Sequence, residues 1–587
     1  MRTTLLVALG VVVILGGVAG WIGARGLSAK ASLEHAQLVV GEITQRAQER
    51  DIPAVQRLAR TLAKDTANAA AMTSDPVWRA AEGIPWAGAN LTAVRQLAGI
   101  VDTISSDAVG PIMKATSGGL DAFTPRDGRF DVELVRAAST AVITAKGVLA
   151  SSSKRLDAID TASTAQPVRA AVTKLAGLID TAMPAATLAA DVAAVLPGAL
   201  GADGPRTYIL LFQNNAESLS LGGNTAAWVI LSVDDGALKI TSQPSSQDFA
   251  RDNPIPIDLP PELLALYNPD YFRYATNTTL RPDFPTAGRL AQAFWLRWAG
   301  AKVDGVAALD PIALSYFLKA TGPLDLATGA TLSADNAVSL LLSDVYRIYE
   351  NPKDQDAFFA AAAGAVFAAM TSSSPDITAV VDAVTRSITE HRLMLWSAHP
   401  EEEAAIESTP VAGTLATSND TKTEVGVFYV DNSASKMSYY LTTAATIGTT
   451  VCQLGVAPEF TVSTTLHSDI SPEAYAGLSA YVRSNVYFDP VKTRTLVFVY
   501  GPPGTTFARW SWDGSGLGAQ LVATGTDLGR PVAQIGVDLA PGESADVGVV
   551  FSAPAGHEWG PLEARVTPMV NPTAVTLVAP GCAAPKG

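Results

Sequence analysis

The stretch Thr207–Glu217, TYILLFQNNAE, followed at once by SLSLGGNTAAW, limits the fold of this chain more than any other segment. Tyr208, Ile209, Leu210, Leu211 and Phe212 form an unbroken apolar run, the pattern of a strand covered on both faces. Gln213, Asn214, Asn215 and Glu217 come next, where such a sheet presents its strand ends. Gly222-Gly223 then lets a backbone or a ligand come close. The segment is predicted to be a buried strand of an α/β sheet that ends in a polar, site-like loop.

The residues downstream fit that sheet. Strands are predicted at Ala227–Val233 and Ala237–Thr241, joined by an Asp234-Asp235-Gly236 hairpin turn. A helix over Pro285–Ala299, a strand over Val303–Leu309 and a helix over Pro311–Thr321 follow, the last opened by Asp310 as cap with proline first. Ser333 and Asn336 begin a further helix carrying Leu340, Leu341, Leu342 and Val345. Strands alternating with helices assign residues 201–400 to an α/β domain. The uncharged run Ala357–Met370 is too short to span a bilayer and reads as a core helix. Residues 401–424, opening on Glu401-Glu402-Glu403, read as a linker. From 425 to 587 strands alternate with glycine and proline turns, at Gly426–Val430, Ser438–Thr443, Ala457–Leu466, Arg494–Val499, Gln520–Thr524, Ala545–Ser552 and Leu562–Val566. That spacing predicts an antiparallel β-sandwich.

Upstream, Leu5 to Ala24 carries no charge and is bounded by Arg2 and Arg25. As a helix it spans roughly 30 Å, the thickness of a bilayer's hydrocarbon core. Residues 1–29 are read as a retained, single-pass membrane anchor, although Ala29-Lys30-Ala31 also has the form of a signal cleavage site. Residues 30–200 are alanine-rich with helical spacing, as in Val55, Leu58, Ala59 and Leu62 or Val168, Val172, Leu175 and Leu178. They are predicted to form a membrane-proximal helical bundle or stalk. Only two cysteines occur, Cys452 and Cys582. One pair in an otherwise cysteine-free chain fits a structural disulfide in an oxidising compartment, which places the body outside the cytoplasmic membrane. A net charge of −15 excludes the basic face that broad nucleic-acid binding needs.

The sequence contains no P-loop, GxSxG or HExxH, and its five histidines are scattered without ligand spacing, so no metal site is predicted. Ser433-x-x-Lys436 and Ser151-x-x-Lys154 have the SxxK shape of penicillin-binding enzymes but lack the companion elements of that chemistry and read as chance. A polar constellation remains in the α/β domain. Tyr271-Phe272-Arg273-Tyr274 leads into Asn277-Thr278-Thr279-Leu280-Arg281-Pro282-Asp283 just before a helix start. Aromatic faces, arginines and a helix amino terminus together can stack sugars and bind anionic oxygens. The structural alternative is a loop in which Arg281 pairs with Asp283 above packed aromatics.

TYILLFQNNAE, LRPDFPTAG and VDGVAALDPIALSYFLKATGPL resemble the recurrent words of a family of envelope proteins catalogued as a domain of unknown function, number four thousand and twelve. The likeness runs from Arg206 to about Tyr349. Leu219-Ser220-Leu221 departs from it, since members often carry an arginine and a proline before the paired glycines. A more distant similarity is to the LytR-CpsA-Psr phosphotransferases, which move glycopolymers from polyprenyl pyrophosphate to the cell wall. Their order of elements looks like Tyr208 to Leu324. Where they carry clustered arginines, Leu340–Met370 offers only Arg347, with Gln355 and Asp356 nearby and alanines after.

The resemblance implies an extracytoplasmic envelope factor that binds a cell-wall glycopolymer, a polyprenyl-linked lipid or an assembly protein without catalysis. The alternative is a divergent phosphotransferase using Arg281, Arg289 and Arg347 with Asp283 or Asp304, and only that alternative implies magnesium. The predicted ligand-binding set is Asn215, Glu217, Asn277, Arg281, Asp283, Arg289 and Arg347.

Overall fold

The computed structural model describes residues 2–582 except 50, 86, 253, 256–260, 269–271, 373, 374, 484–491 and 517; for residues 2–19, 48, 120, 121, 261, 262 and 372 it describes the backbone alone. Tyr271 of the aromatic constellation lies outside the described residues. The chain forms two compact units, Met1–Thr124 with Phe130–Asp203, and Pro125–Arg129 with Gly204–Gly587.

The first unit is helical, as its periodicity predicts: α1 (Arg2–Gln48), α2 (Ile52–Thr73), α3 (Pro76–Ala81), α4 (Gly88–Thr103), α5 (Gly110–Ala115), α6 (Val132–Asp157) and α7 (Gln166–Ala199). Asp51, Asp75 and Asp131 cap α2, α3 and α6 by accepting from first-turn N–H groups. Alanines such as Ala29, Ala69 and Ala98 let helices approach closely, and Leu97, Ile100, Leu156, Ile159, Val172 and Ile179 form a second cluster. The uncharged Leu5–Ala24 run lies within α1 without a break. Among the described residues, helices α6 and α7 are long and apolar enough to cross a membrane, by length and composition.

The second unit opens on a five-stranded sheet of β1 (Arg206–Leu219), β2 (Gly222–Asp234), β3 (Ala237–Ser242), β4 (Gly305–Leu309) and, after the two-residue β5 (Leu324–Asp325) and β6 (Thr331–Leu332), β7 (Leu393–Ser397). Its order is β3-β2-β1-β4-β7, with β1 and β4 parallel and the other neighbours antiparallel. Helices cover both faces. Ile209 and Leu211 pack with Phe284, Leu290 and Phe294 of α8 (Phe284–Ala299). Leu210 and Phe212 pack on the other side with α9 (Pro311–Thr321) and α12 (Pro352–Ser372). Between these helices run α10 (Ala337–Ser339), a π-turn at Leu340–Asp344 and α11 (Val345–Ile348); α13 (Ile377–Thr389) follows α12. Asp310 caps α9 as expected, its carboxylate accepting from Ala313 N at 2.7 Å.

Three expectations need correction. The predicted loop after Phe212 is strand, because β1 continues to Leu219 through two register shifts against β2. The predicted linker is folded: α14 (Pro400–Glu407) and a turn at Pro410–Ala412 bury Val411, Ala412 and Leu415 against the body. Its acidic residues mark the first turn of a helix, where the dipole favours them. The carboxy-terminal strands form two five-stranded sheets that are mixed, not purely antiparallel. β8 (Thr423–Asp431), β9 (Leu441–Thr449), β10 (Glu459–Ser468), β11 (Thr493–Tyr500), β12 (Thr506–Gly514), β13 (Gly518–Asp527), β14 (Arg530–Leu539), β15 (Ser544–Ser552), β16 (Leu562–Val566) and β17 (Ala574–Val578) give the orders β12-β15-β10-β9-β17 and β13-β14-β11-β8-β16. β16 and β17 lie parallel to β8 and β9, because the chain reaches them by crossing over instead of by a hairpin.

Cys452, just after β9, is bonded to Cys582, just after β17. One core joins the first sheet to the rest: Phe428, Leu496, Phe498 and Tyr500 cluster with Ile209, Trp228 and Phe284. The turn between β10 and β11 carries α15 (Pro472–Ala476) and α16 (Ala480–Arg483), and Tyr475 and Val482 enter the core that holds Leu314 and Phe358.

Candidate functional site

The far end of β1 has two faces with opposite fates. Asn215 is fully buried, donating from Nδ2 to Asp310 Oδ2 and to Pro568 O, each at 2.9 Å. Arg392 meets the same Asp310 oxygen at 2.5 Å and donates to Met569 O at 3.0 Å. This is a closed network that fastens the last part of the chain to the first sheet. Gln213, on the same face by strand alternation, donates to Leu221 O at 3.1 Å across the hairpin. The hairpin is tight enough that a Cβ on Gly223 would lie 2.2 Å from Asn214 O, so only glycine fits there.

The other face carries the half-buried Asn214 and Glu217, which can meet a ligand. Asn214 Nδ2 donates to Tyr346 Oη at 2.7 Å and approaches Glu217 Oε1 at 3.4 Å. Glu217 accepts from Asn224 Nδ2 at 2.5 Å and is bonded to Lys436 Nζ. The Lys436 ammonium sits over the rings of Tyr346 and Tyr481, 4.6 and 4.4 Å from their centroids. Burial works against this charge, but the Glu217 carboxylate and the two tyrosines outweigh it and hold the ammonium above its ordinary pKa. Lys436 is placed by the turn after β8, where Ala434 takes the left-handed φ of 50° and Asp431 accepts from Ser435 N at 2.8 Å and Ser433 N at 3.1 Å. Burial pushes the Asp431 carboxyl up to about 7 against those N–H donors, and the Glu217 charge adds to the rise. Ser433 Oγ accepts from Arg494 N at 2.6 Å. With that oxygen on the backbone and Lys436 on Glu217, the SxxK residues form no serine–lysine dyad.

Beside Asn214 lies an apolar cavity of about 80 Å³. Phe212, Ala226, Ala227 and Trp228 of the sheet form one wall; Leu314 of α9, Leu341 and Leu342 of the π-turn, and Phe359, Ala360, Ala362 and Ala363 of α12 form the other. A π-turn widens a helix locally and is common where a helix borders a site. The cavity's polar residues are Gln213, Asn214, Gln243, Ser245 and Asp356. The Ser245 hydroxyl bonds to Asp356, and Ser245 N donates to Asp248 Oδ2 at 2.8 Å. Burial raises the Asp356 pKa; the Ser245 hydrogen bond opposes this and the Asp248 charge adds to it.

The predicted site residues divide among separate places. Glu217 joins the open face of β1, whereas Asn215 lies in the closed network. Asn277 ends a 3-10 turn, its N–H donating to Tyr274 O at 3.0 Å. Arg281 reaches Asp527, at the end of β13, with Nε 3.1 Å from both carboxylate oxygens, and donates to Thr286 Oγ1 at 2.9 Å. Asp283 caps α8 and lies 3.5 Å from Arg281 and 4.0 Å from the exposed Arg289. Arg347 is exposed and paired with Asp344 at the end of the preceding π-turn. Thus Arg281 and Arg289 converge on Asp283, Arg347 stands apart, and none of the three lines the cavity. Lys436, Tyr346 and Tyr481 were not legible in the sequence as site residues because their neighbours are distant in the chain. Asp356 and the alanines after it were visible there only as an absence of arginine.

Residues 203–346 match the family model described as "Protein of unknown function (DUF4012)". No curated protein and no solved structure matches the chain.

Proposed function

We propose that this protein is an extracytoplasmic envelope factor, held by a single amino-terminal span, that binds an envelope glycolipid and performs no chemistry on it. The observation that carries this reading is the apolar cavity opening beside the hydrogen-bonding groups of β1. A slot walled by alanine, leucine and phenylalanine accepts hydrocarbon, and amide and carboxylate groups at its rim accept hydroxyls. The uncharged run of α1 and the Cys452–Cys582 bond support the compartment. The mixed sheet flanked by helices is compatible with a LytR-CpsA-Psr-like domain, and the two sheets with a shared core are compatible with a β-sandwich that spaces or presents it.

The phosphotransferase alternative has less support. Stabilising a transferring pyrophosphate takes several cationic donors or a metal, and Arg281, Arg289 and Arg347 each already face a carboxylate. The test is lipid extraction from the full-length protein purified out of its native membrane. Mass spectrometry should find a stoichiometric glycolipid in the wild type that is lost from Ala363→Leu. Equal lipid content in the two proteins refutes the reading.

A further inference from the structure

The cavity has a charge preference that can be read from its rim. Its lining contains one ionisable side chain, Asp356, and no lysine, arginine or histidine among the described residues. A second carboxylate stands behind it, since Ser245 hydrogen-bonds to Asp356 through its hydroxyl and to Asp248 through its N–H. The nearest fixed cation of the open face, Lys436, is buried and committed to Glu217. The other polar groups of the lining are uncharged: the amides of Gln213, Asn214 and Gln243 and the hydroxyl of Ser245. Gln243 is held in place by Nε2 donating to Ala360 O at 3.0 Å, which ties the β3 end of the rim to α12.

We infer that the cavity selects an amphiphile whose hydrocarbon chain ends in an uncharged, hydroxyl-bearing head such as a sugar, and disfavours a phosphate or diphosphate in the same position. This rests on the binding function proposed above and names the ligand class of that site. A phosphate at the rim would meet two carboxylates without a compensating cation, in surroundings that screen charge less than water does. A sugar hydroxyl can donate to Asp356 and accept from an amide, so its desolvation is balanced. Ala226, Ala227, Ala360, Ala362 and Ala363 leave room between sheet and helix for a hydrocarbon chain, with Phe212 and Phe359 in the walls.

The test uses two photoreactive probes of equal chain length, a diazirine-bearing hexyl glucoside and the corresponding hexyl phosphate, with the full chain in nanodiscs. Labelled peptides are quantified by mass spectrometry. At neutral pH the glucoside should label the Leu341–Leu342 and Phe359–Ala363 peptides at least about fivefold more than the phosphate, the discrimination expected for one poorly screened like charge. Ala363→Leu should abolish that labelling, and Asp356→Asn should bring the two probes close together. Phosphate labelling equal to or above that of the glucoside overturns the inference while leaving a lipid-binding cavity in place. Failure of both probes to label these peptides, or labelling that persists in Ala363→Leu, overturns the cavity-binding function as well.

Discussion

The two faces of β1 carry nearly the same chemistry and do different things. Gln213 and Asn215 point to one side, Asn214 to the other, and all three are side-chain amides. Asn215 is locked between Asp310 and Pro568 O, in a network completed by Arg392. Asn214 borders a cavity and a half-open carboxylate. The difference comes from what the rest of the chain places opposite. The closed face meets the segment after β16, and the open face meets α12, whose alanines are too small to fill the space. Polarity alone therefore says little about function; the size of the facing side chains decides whether a polar strand end is a fastening or a site.

The sharpest way to break this comparison is at the fastenings. Arg281→Ala leaves Asp527 buried without its cationic partner and should cost about 3–5 kcal/mol, read as a lower denaturation midpoint of the second unit. An unchanged midpoint would return Arg281 to the candidate site. Next comes a pH effect at Asp431, whose carboxyl is raised to about 7 in the folded state, chiefly by burial. A raised acid stabilises the fold below its unfolded value and loses that contribution as pH rises through the folded one. Stability should thus fall between about pH 4 and 7 by roughly 2–4 kcal/mol, and Asp431→Asn should flatten the slope. Glu217→Gln strands Lys436 between two rings, and a loss of about 2 kcal/mol is expected, with Tyr346 fluorescence reporting the change. On β1 itself, Asn215→Ala should lower stability by about 2 kcal/mol and Asn214→Ala by less than about 1 kcal/mol. Equal losses would erase the distinction between the faces. Arg347→Ala, at an exposed pair, should leave both stability and lipid content unchanged.

Much of this architecture was legible in the residues. Tyr208–Phe212 announced a strand covered on both sides, and Asp310-Pro311 announced the start of α9, because cap chemistry and apolar runs are local signals. The continuation of β1 through Gln213–Leu219 was not legible: amides and a carboxylate have weak strand preference, and pairing with β2 overrides it. β12, β14 and β17 escaped for a related reason, since their exposure or buried polar residues blur the alternation. At the site, Glu217 was singled out by its crowded neighbourhood, but Lys436 lies 219 residues away and only the fold brings it there. Arg281 looked like a ligand-binding arginine because its partner, Asp527, is equally remote. The cavity was hidden in plain composition, since a run of alanines reads as a close-packed helix until the sheet opposite is known.

The central claim is that Asn214 borders an accessible apolar cavity and the buried Asn215 does not, and xenon tests it most directly. Xenon enters dry apolar cavities and gives an anomalous signal that locates it. In crystals of the full-length protein under xenon pressure, a peak is expected between Phe212, Leu314, Leu342 and Phe359, with none beside Asn215; Ala363→Leu should remove it. Xenon beside Asn215, or none among the alanines of α12, would contradict the assignment of the two faces.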